Sequence, residues 1–327
     1  MFYSEIAGIG SCVPEKIVTN KELENIVNTS DQWIVDRTGI KERRISTGEK
    51  TYQIALKAAK RAIRQSGIQS SKIDLIILAT ITPDFFTPST ACLIQAELGL
   101  QDIPSFDISA GCTGFIYGLE IADKFIKSGQ SKCILIIGAE VLSKALNWND
   151  RNTCVLFGDG AGAAILRRSK EEGIISTYTG SQGDSNGFLT MPAVTLKNPF
   201  FKNEISEDNH SYIFMNGKEI FKFATHIMKR SIQVILKDNK LTIGDIDYII
   251  PHQANYRIIN NVAKKLKVSP DKFYKNMEHF GNTSAASIPL ALDEMVQKKI
   301  IRKSNRIIMV GFGGGLTWGS ILLNWTI

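Results

Sequence analysis

Long apolar runs are missing from this sequence: nowhere do about eighteen apolar residues follow one another, so no membrane-spanning helix is expected. The opening Met1-Phe2-Tyr3-Ser4-Glu5 has neither the basic nor the apolar region of a signal peptide, and the expectation is a soluble, cytoplasmic protein. Cysteine is sparse as well. Cys12, Cys92, Cys112, Cys133 and Cys154 are odd in number, widely spaced and without a C-x-x-C pair, which argues against a disulfide framework and a zinc site and fits reduced thiols. Only four histidines occur, His210, His226, His252 and His279, so any imidazole chemistry must come from a short roster. No nucleic-acid motif accompanies the net charge of +7, and the basic residues are scattered. That charge suits a phosphorylated ligand or an acidic protein as well as it suits nucleic acid.

What is present is a chain of 327 residues, 43% hydrophobic, long enough for two domains or a duplicated one. Its organising stretch runs from Phe106 to Leu119, where an extended segment (Ser105 to Ile108) gives way to Phe115, Ile116, Leu119, Ala122 and Ile126 at helical spacing. Cys112 falls at that junction between Gly111 and Gly114. A helix N-terminus favours thiolate over thiol, and thiolate is the nucleophile. A small buried hydrophobe is the ordinary role for a free cysteine, so this stretch alone does not decide the matter. Elsewhere the pattern predicts a strand over Ser4 to Val13, a helix over Asn20 to Asn28 capped by Asn20, and a helix over Thr51 to Ser66. Ile73 to Thr80 and Cys133 to Val141 read as strands covered on both faces, and Ser89 to Leu98 as a helix.

The second half echoes the first. Ile246-Asp247-Tyr248-Ile249-Ile250 repeats Ile73-Asp74-Leu75-Ile76-Ile77, Gly281-Asn282-Thr283 repeats Gly111-Cys112-Thr113, and Arg306 to Gly311 matches Cys133 to Gly138. The spacings are 112 − 73 = 39 and 282 − 246 = 36. A repeat this long means a duplicated α/β domain, with halves at 1–170 and 171–327. On that alignment Asn282 is the symmetry mate of Cys112, and two helix mouths should face one site. His252 follows a buried strand, the usual place for a site in an α/β sheet, and outranks His279, which precedes the Gly281-Asn282 turn. His210, in a charged loop, and His226, in an amphipathic helix, need no catalytic role. The segment Thr29 to Arg44 pairs Trp33 with several arginines, which suits either a stacked base with phosphates or ordinary packing and a solvated face. Gly313-Gly314-Gly315 offers backbone N–H groups for an oxyanion hole, or a tight turn.

Six stretches in one order then carry a resemblance: Asp31-Gln32-Trp33-Ile34 with Arg37-Thr38-Gly39-Ile40, Ala110 to Phe115, Phe157 to Gly162, Pro251 to Asn255, Gly281 to Ser287, and Gly313 to Gly319. The chain resembles β-ketoacyl-acyl-carrier-protein synthase III from end to end. The resemblance implies the thiolase fold, five layers α/β/α/β/α, and a homodimer. It implies decarboxylative condensation of an acyl-CoA primer with malonyl-acyl-carrier protein, initiating fatty-acid synthesis, with no cofactor and no metal. Cys112 would be the acylated nucleophile, His252 and Asn282 the donors to the malonyl thioester, and Cys112 and Gly314 the oxyanion N–H groups. Thr29, Trp33, Arg37, Arg151, Asn216 and Gly217 would meet CoA. Lys222, Arg257, Lys264 and Lys265 would greet the acidic carrier protein, though each equally suits a solvated helix face. Thr87 stands where acetyl-selective members carry a phenylalanine, which implies a longer acyl channel unless Phe85 or Phe86 fills it. The alternative is a secondary-metabolite acyltransferase or alkylquinolone-type synthase of the same fold; the intact Asn282 and the basic patch weigh against it.

Overall fold

The computed structural model describes residues 2–193 and 212–327. Strands β1 (Tyr3–Cys12), β2 (Leu75–Ala79), β3 (Ser105–Ile108), β4 (Cys133–Glu140) and β5 (Gly160–Ser169) form one sheet in the order β1-β5-β4-β2-β3. A second sheet has β6 (Ile174–Ser181), β7 (Tyr248–Pro251), β8 (Arg306–Gly313) and β9 (Thr317–Asn324) in the order β7-β8-β9-β6. The pairing repeats sense for sense. β2 runs parallel to β4, and β4 to β5 and β5 to β1 are antiparallel; β7 runs parallel to β8, and β8 to β9 and β9 to β6 are antiparallel. Even β3, parallel to β2, has a vestigial counterpart in the parallel bridge of Ile249 with Phe273.

Alternation along these strands explains the layering. Helices α1 (Asp31–Thr38), α2 (Thr51–Ser66), α3 (Thr90–Glu97), α4 (Gly114–Lys127), α5 (Gly217–Asp238), α6 (Tyr256–Leu266) and α7 (Ser287–Gln297) supply the other layers. Leu75 and Ile77 of β2 and Ile134 and Ile136 of β4 point into a core shared with Phe115 and Leu119 of α4, Leu292 of α7 and Ile307 and Met309 of β8. The intervening Ile76, Leu78, Leu135 and Ile137 point the other way, onto Ile54, Ala58 and Ala62 of α2 and Ile94 of α3. Ile308 and Val310 of β8 likewise face Ile227, Ile232 and Ile235 of α5 and Ile259 and Val262 of α6. Strands apolar on both faces are therefore strands covered on both faces. The result is five layers, with α4 and α7 between the sheets, as the resemblance implied.

Two expectations need correction. The short helix at Asn20–Glu24 is capped by Thr19, whose hydroxyl accepts from Glu22 N (3.3 Å) while the Glu22 carboxylate accepts from Thr19 N (2.8 Å), a capping box. Asn20 is buried instead, its amide donating to Asp31 Oδ1 and Ile40 O at 2.8 Å each. The second correction is the register of the repeat. A 3-10 turn, Gly111–Thr113, leads into α4 at Gly114, and a 3-10 turn, Ser284–Ala286, leads into α7 at Ser287. Gly111 and Ser284 open these turns with φ of +52° and +49°. The mate of Cys112 is thus Ala285, not Asn282, and the spacings become equal: 112 − 73 = 39 and 285 − 246 = 39. Glycine and asparagine at Gly281-Asn282 mimic the motif three residues early.

The two junctions touch through glycine. A side chain added to Gly138, in β4, would drive into the Ala285 carbonyl, a rigid backbone group. Gly138→Ala is expected to cost roughly 1–3 kcal/mol, the range of core overpacking, read as a lowered urea midpoint at unchanged m. An unaltered midpoint would show that the junction yields freely.

Candidate active site

Cys112 sits where β3 hands over to α4, and glycines crowd it. Beyond its positive φ, Gly111 has no room for a side chain, which would come within 3.2 Å of Gly314 N. A side chain on Gly313 would meet Cys112 N at 2.7 Å. Thr113 and Thr317 clip the two strips together: Thr113 Oγ1 lies 2.7 Å from Thr317 Oγ1 and donates to Ala110 O at 2.6 Å, and Thr317 Oγ1 reaches Gly314 O at 3.1 Å. The triple glycine is thereby held against the Cys112 backbone. Cys112 is 8% exposed, and burial pushes its thiol up to about 12, opposed by the adjacent Ser284 hydroxyl and reinforced by the Glu140 charge. This reverses the thiolate expected from the helix mouth. Desolvating a sulfur anion costs more than a short 3-10 turn and the helix behind it return.

His252 follows β7, its N–H donating to Val310 O at 2.8 Å. The ring is buried, packs edge-on against Phe312 with centroids 5.4 Å apart, and has Nδ1 2.7 Å from Ser287 Oγ. Burial lowers its pKa to about 3, so the imidazole is neutral. Asn282 forms a parallel bridge with Phe157, and its Oδ1 accepts from Ser284 N at 2.9 Å. With the oxygen so engaged, the NH2 end is the free one and a donor. Phe312, flanked by glycines against the Cys112 turn, and Ser284, beside the sulfur, therefore link His252 and Asn282 to the nucleophile. Glu140, at the end of β4, completes the cluster. It accepts from Thr80 Oγ1 (3.1 Å), Ile81 N (3.1 Å), Thr82 Oγ1 and Ser284 Oγ (3.4 Å), and burial outweighs these donors to raise its pKa to about 7.

A cavity of about 880 Å³ opens onto Cys112, walled by Phe106, Phe157, Leu142, Ser284 and Gly314. Thr87 is exposed and is not on this chain's cavity wall; Phe85 and Phe86 are. A second cavity, about 910 Å³, is lined by Trp33, Arg37, Arg151, Gly217, Lys222 and Arg257. The Trp33 ring has the Arg37 guanidinium 4.4 Å and the Arg151 guanidinium 4.9 Å from its centroid. Thr29 is not on that wall, and its Oγ1 is buried without a partner among the described residues. Asn216 caps α5, its Oδ1 accepting from Glu219 N at 3.3 Å. Lys222 is paired with Glu219 at 2.7 Å. Lys264 and Lys265 lie in the last turn of α6, about two turns from Arg257 and outside that cavity. His279 pairs with Glu42 at 3.4 Å on the surface, His226 is exposed, and His210 lies outside the described residues.

Sequence reasoning passed over Glu140, Ser284, Ser287 and the Thr113–Thr317 clip. Both serines fall inside a quoted motif, but nothing in a motif says which hydroxyl faces a ring. Glu140 left one signal, a lone charge ending an apolar strand. Among the described residues no group of three or more His, Cys, Asp or Glu side chains could hold a metal, and no helix is long and apolar enough to cross a membrane.

Two repeated sheets around paired helices, with a buried cysteine at the mouth of one, define the thiolase fold in its acyl-transferring form. The profile of "3-Oxoacyl-[acyl-carrier-protein (ACP)] synthase III" matches residues 106–183 and that of its C-terminal domain residues 236–325. The chain is 55% identical to a beta-ketoacyl-[acyl-carrier-protein] synthase III of Clostridium novyi, over 99% of this chain and all of that protein. The 3-oxoacyl-[acyl-carrier-protein] synthase III of Aquifex aeolicus superposes with a TM-score of 0.92 at 46% identity, covering 98% of this chain and 100% of that one. That of Pseudomonas aeruginosa gives 0.92 at 37% identity and 99% coverage of both chains. The chain belongs to the β-ketoacyl-acyl-carrier-protein synthase III family.

Glu140 sets a pH dependence. Its folded-state pKa is raised from 4.5 to about 7, so across that window the folded chain keeps a proton the unfolded chain has lost, and stability falls as pH rises through it by roughly 3 kcal/mol. His252 acts oppositely: its pKa is lowered from 6.5 to about 3, so stability falls as pH falls through that range. Urea unfolding of the protein and of Glu140→Gln at several pH values should give a difference curve carrying the Glu140 slope alone. A flat difference would place the carboxyl in water.

Proposed function

We infer that this protein catalyses the decarboxylative condensation of an acyl-CoA primer with malonyl-acyl-carrier protein, the step that initiates fatty-acid synthesis. The observation that carries the reading is Cys112 buried on the wall of its cavity, with His252 joined to its turn through Phe312 and Asn282 through Ser284. Primer CoA enters past Trp33, on whose face Arg151 now lies. A stacked adenine would lie between that guanidinium and the Trp33 ring, and Arg37, with Thr29 nearby, would meet the phosphates. Asn216 and Gly217 border the pantetheine arm where α5 begins.

Cys112 attacks the thioester carbonyl; the S–H bond breaks as the C–S bond forms, and CoA leaves as its thiol. The proton that the thiol gives up is the one the departing CoA sulfur takes. The Cys112 and Gly314 N–H groups hold the tetrahedral oxyanion, a task for fixed donors in a dry site. Splitting one condensation into acylation and a second attack lowers the barrier of each. Malonyl-carrier protein then binds with its acidic face toward Lys222 and Arg257 and, at the far end of α6, Lys264 and Lys265. His252 Nε2–H and Asn282 Nδ2–H hold its thioester carbonyl while the bond to the carboxylate breaks and carbon dioxide leaves. The resulting carbanion attacks the acyl group, a new C–C bond forms, and the Cys112 sulfur is released to take up a proton. A histidine held neutral suits this step, because an imidazolium would have to be buried without a counter-charge.

The protein acts in the cytoplasm as a homodimer. The 49% and 74% exposed faces of Phe85 and Phe86 support a partner over that loop, which would bring Thr87 to the neighbouring cavity. A threonine there leaves space for primers longer than acetyl.

Cys112→Ala is expected to form no acyl adduct with any acyl-CoA by mass spectrometry, whereas His252→Ala and Asn282→Ala should keep the adduct and lose condensation by at least about 100-fold. Loss of the adduct in all three would mean the His and Asn serve acylation instead. In a competition of acetyl-, branched butyryl- and octanoyl-CoA, an adduct larger than acetyl is expected; acetyl alone would remove the argument from Thr87.

A further inference from the structure

We propose that Ser287 is a positioning residue for the condensation: its hydroxyl donates to His252 Nδ1, fixing the imidazole as the Nε2–H tautomer and aiming that N–H at the reacting thioester. The proposal rests on the reading above and adds to it the group that decides which ring nitrogen carries the proton. Ser287 Oγ lies 2.7 Å from Nδ1, and both side chains are 1% exposed. The Gln253 N–H also points at this oxygen, at 3.4 Å, and an N–H only donates. If Nδ1 carried a proton too, Ser287 would receive two donors and its own hydroxyl proton would have nowhere to go, since no other acceptor bonds it among the described residues. Buried hydroxyl protons are rarely left that way. With Nδ1 as acceptor, Nδ1, the Ser287 hydroxyl proton and the Gln253 N–H are each paired. Among the described residues no carboxylate bonds Nδ1, as one does in many histidine sites; its partner is this serine, and the Phe312 ring packs against the imidazole.

The location adds a second consequence. Ser287 is the first residue of α7, and the 3-10 turn before it begins with Ser284, whose backbone N–H holds Asn282 Oδ1 at 2.9 Å. One turn thus orients both donors, its first residue setting the carboxamide and the residue just after it setting the imidazole. Gln253, next to His252, braces the same arrangement by donating to Pro251 O at 2.7 Å and accepting from Asn276 N at 2.9 Å.

The decisive measurement is made first on the unaltered protein. Long-range ¹H–¹⁵N spectra of the ¹⁵N-histidine-labelled enzyme at neutral pH, with His252 assigned by its loss in His252→Gln, should show a protonated Nε2 and an unprotonated, hydrogen-bonded Nδ1. A proton on Nδ1 overturns the proposal. Ser287→Ala should then mix the tautomers and lower kcat for condensation about 10- to 100-fold, less than outright loss of a donor, while the rate of Cys112 acylation by acyl-CoA stays within about twofold. Ser287→Thr, which keeps the hydroxyl, should restore the wild-type ring spectrum and most of the rate. Unchanged condensation in Ser287→Ala overturns the proposal, as does an equal loss of acylation and condensation in a folded Ser287→Ala. Should the unaltered protein fail to condense any primer, the function above is what fails, and the ring spectrum still decides the role of Ser287.

Discussion

Backbone meets backbone where the two halves join, and the rest of the site depends on that closeness. Gly138 lies against the Ala285 carbonyl, Gly158 against the Phe280 carbonyl and Gly313 against the Cys112 backbone, each without room for a methyl group. These contacts set the start of α4 against the start of α7 at the ends of two sheets that share one core. Helix mouths separated by ordinary side chains would leave the nucleophile and the carbonyl-holding donors about a side-chain length further apart, too far to act on one small acyl group. Close packing of rigid elements also removes adjustment at the moment of reaction, the condition under which fixed N–H groups are most effective.

That closeness dries the site, and the dryness sets every protonation state in it. Cys112, His252 and Glu140 are all buried, and for each the charged form is the one disfavoured: the thiol is pushed up, the imidazole down, the carboxyl up. The cluster therefore rests close to neutral, in spite of holding three ionisable groups. A resting thiolate would be more reactive but would have to be solvated; a resting thiol is stable until a substrate carbonyl, gripped by backbone N–H groups, offers its charge a place to go. The same low dielectric that keeps these groups neutral strengthens each hydrogen bond to a transient oxyanion or enolate. Ser284 stands at the crossing point, its N–H on Asn282, its hydroxyl between Glu140 and the sulfur.

Much of this was legible in the residues, for identifiable reasons. Thr51–Ser66 and Ser105–Ile108 emerge with the bounds their periodicity predicts, since an alanine-lined amphipathic helix and a short apolar strand ending at a glycine turn have few competing readings. Cys112 and His252 could be singled out because each falls just past a strand end, and Asn282 because the Gly-Asn-Thr run imitates the cysteine motif. The cap was misplaced by one residue because Thr19 and Asn20 are both good caps, and only the reach of Glu22 back to Thr19 distinguishes them. Burial of the sulfur was invisible, because the helix mouth is a local feature while its cover of Gly313, Gly314 and Ser284 comes from far along the chain. Ser287 could not be found either: its role exists only once α7 is laid against the end of β7.

The corrected register carries the deeper lesson about how a duplicated fold comes to hold an asymmetric site. Cys112 and Ala285 occupy equivalent places, each the middle residue of a 3-10 turn opening a central helix, yet one bears the reactive sulfur and the other a methyl group, with its carbonyl pressed against Gly138 of β4. Ala285 is 1% exposed and meets Gly138 with its backbone rather than its side chain. The second turn therefore contributes through its flanks. Asn282 lies three residues before the middle position and Ser287 two after it, and both act toward groups outside the turn, Asn282 as a donor and Ser287 on His252. One junction keeps covalent chemistry and the other keeps orientation, a division set by what each turn carries at its centre, a sulfur in one and a methyl group in the other, and by the donors that flank the second.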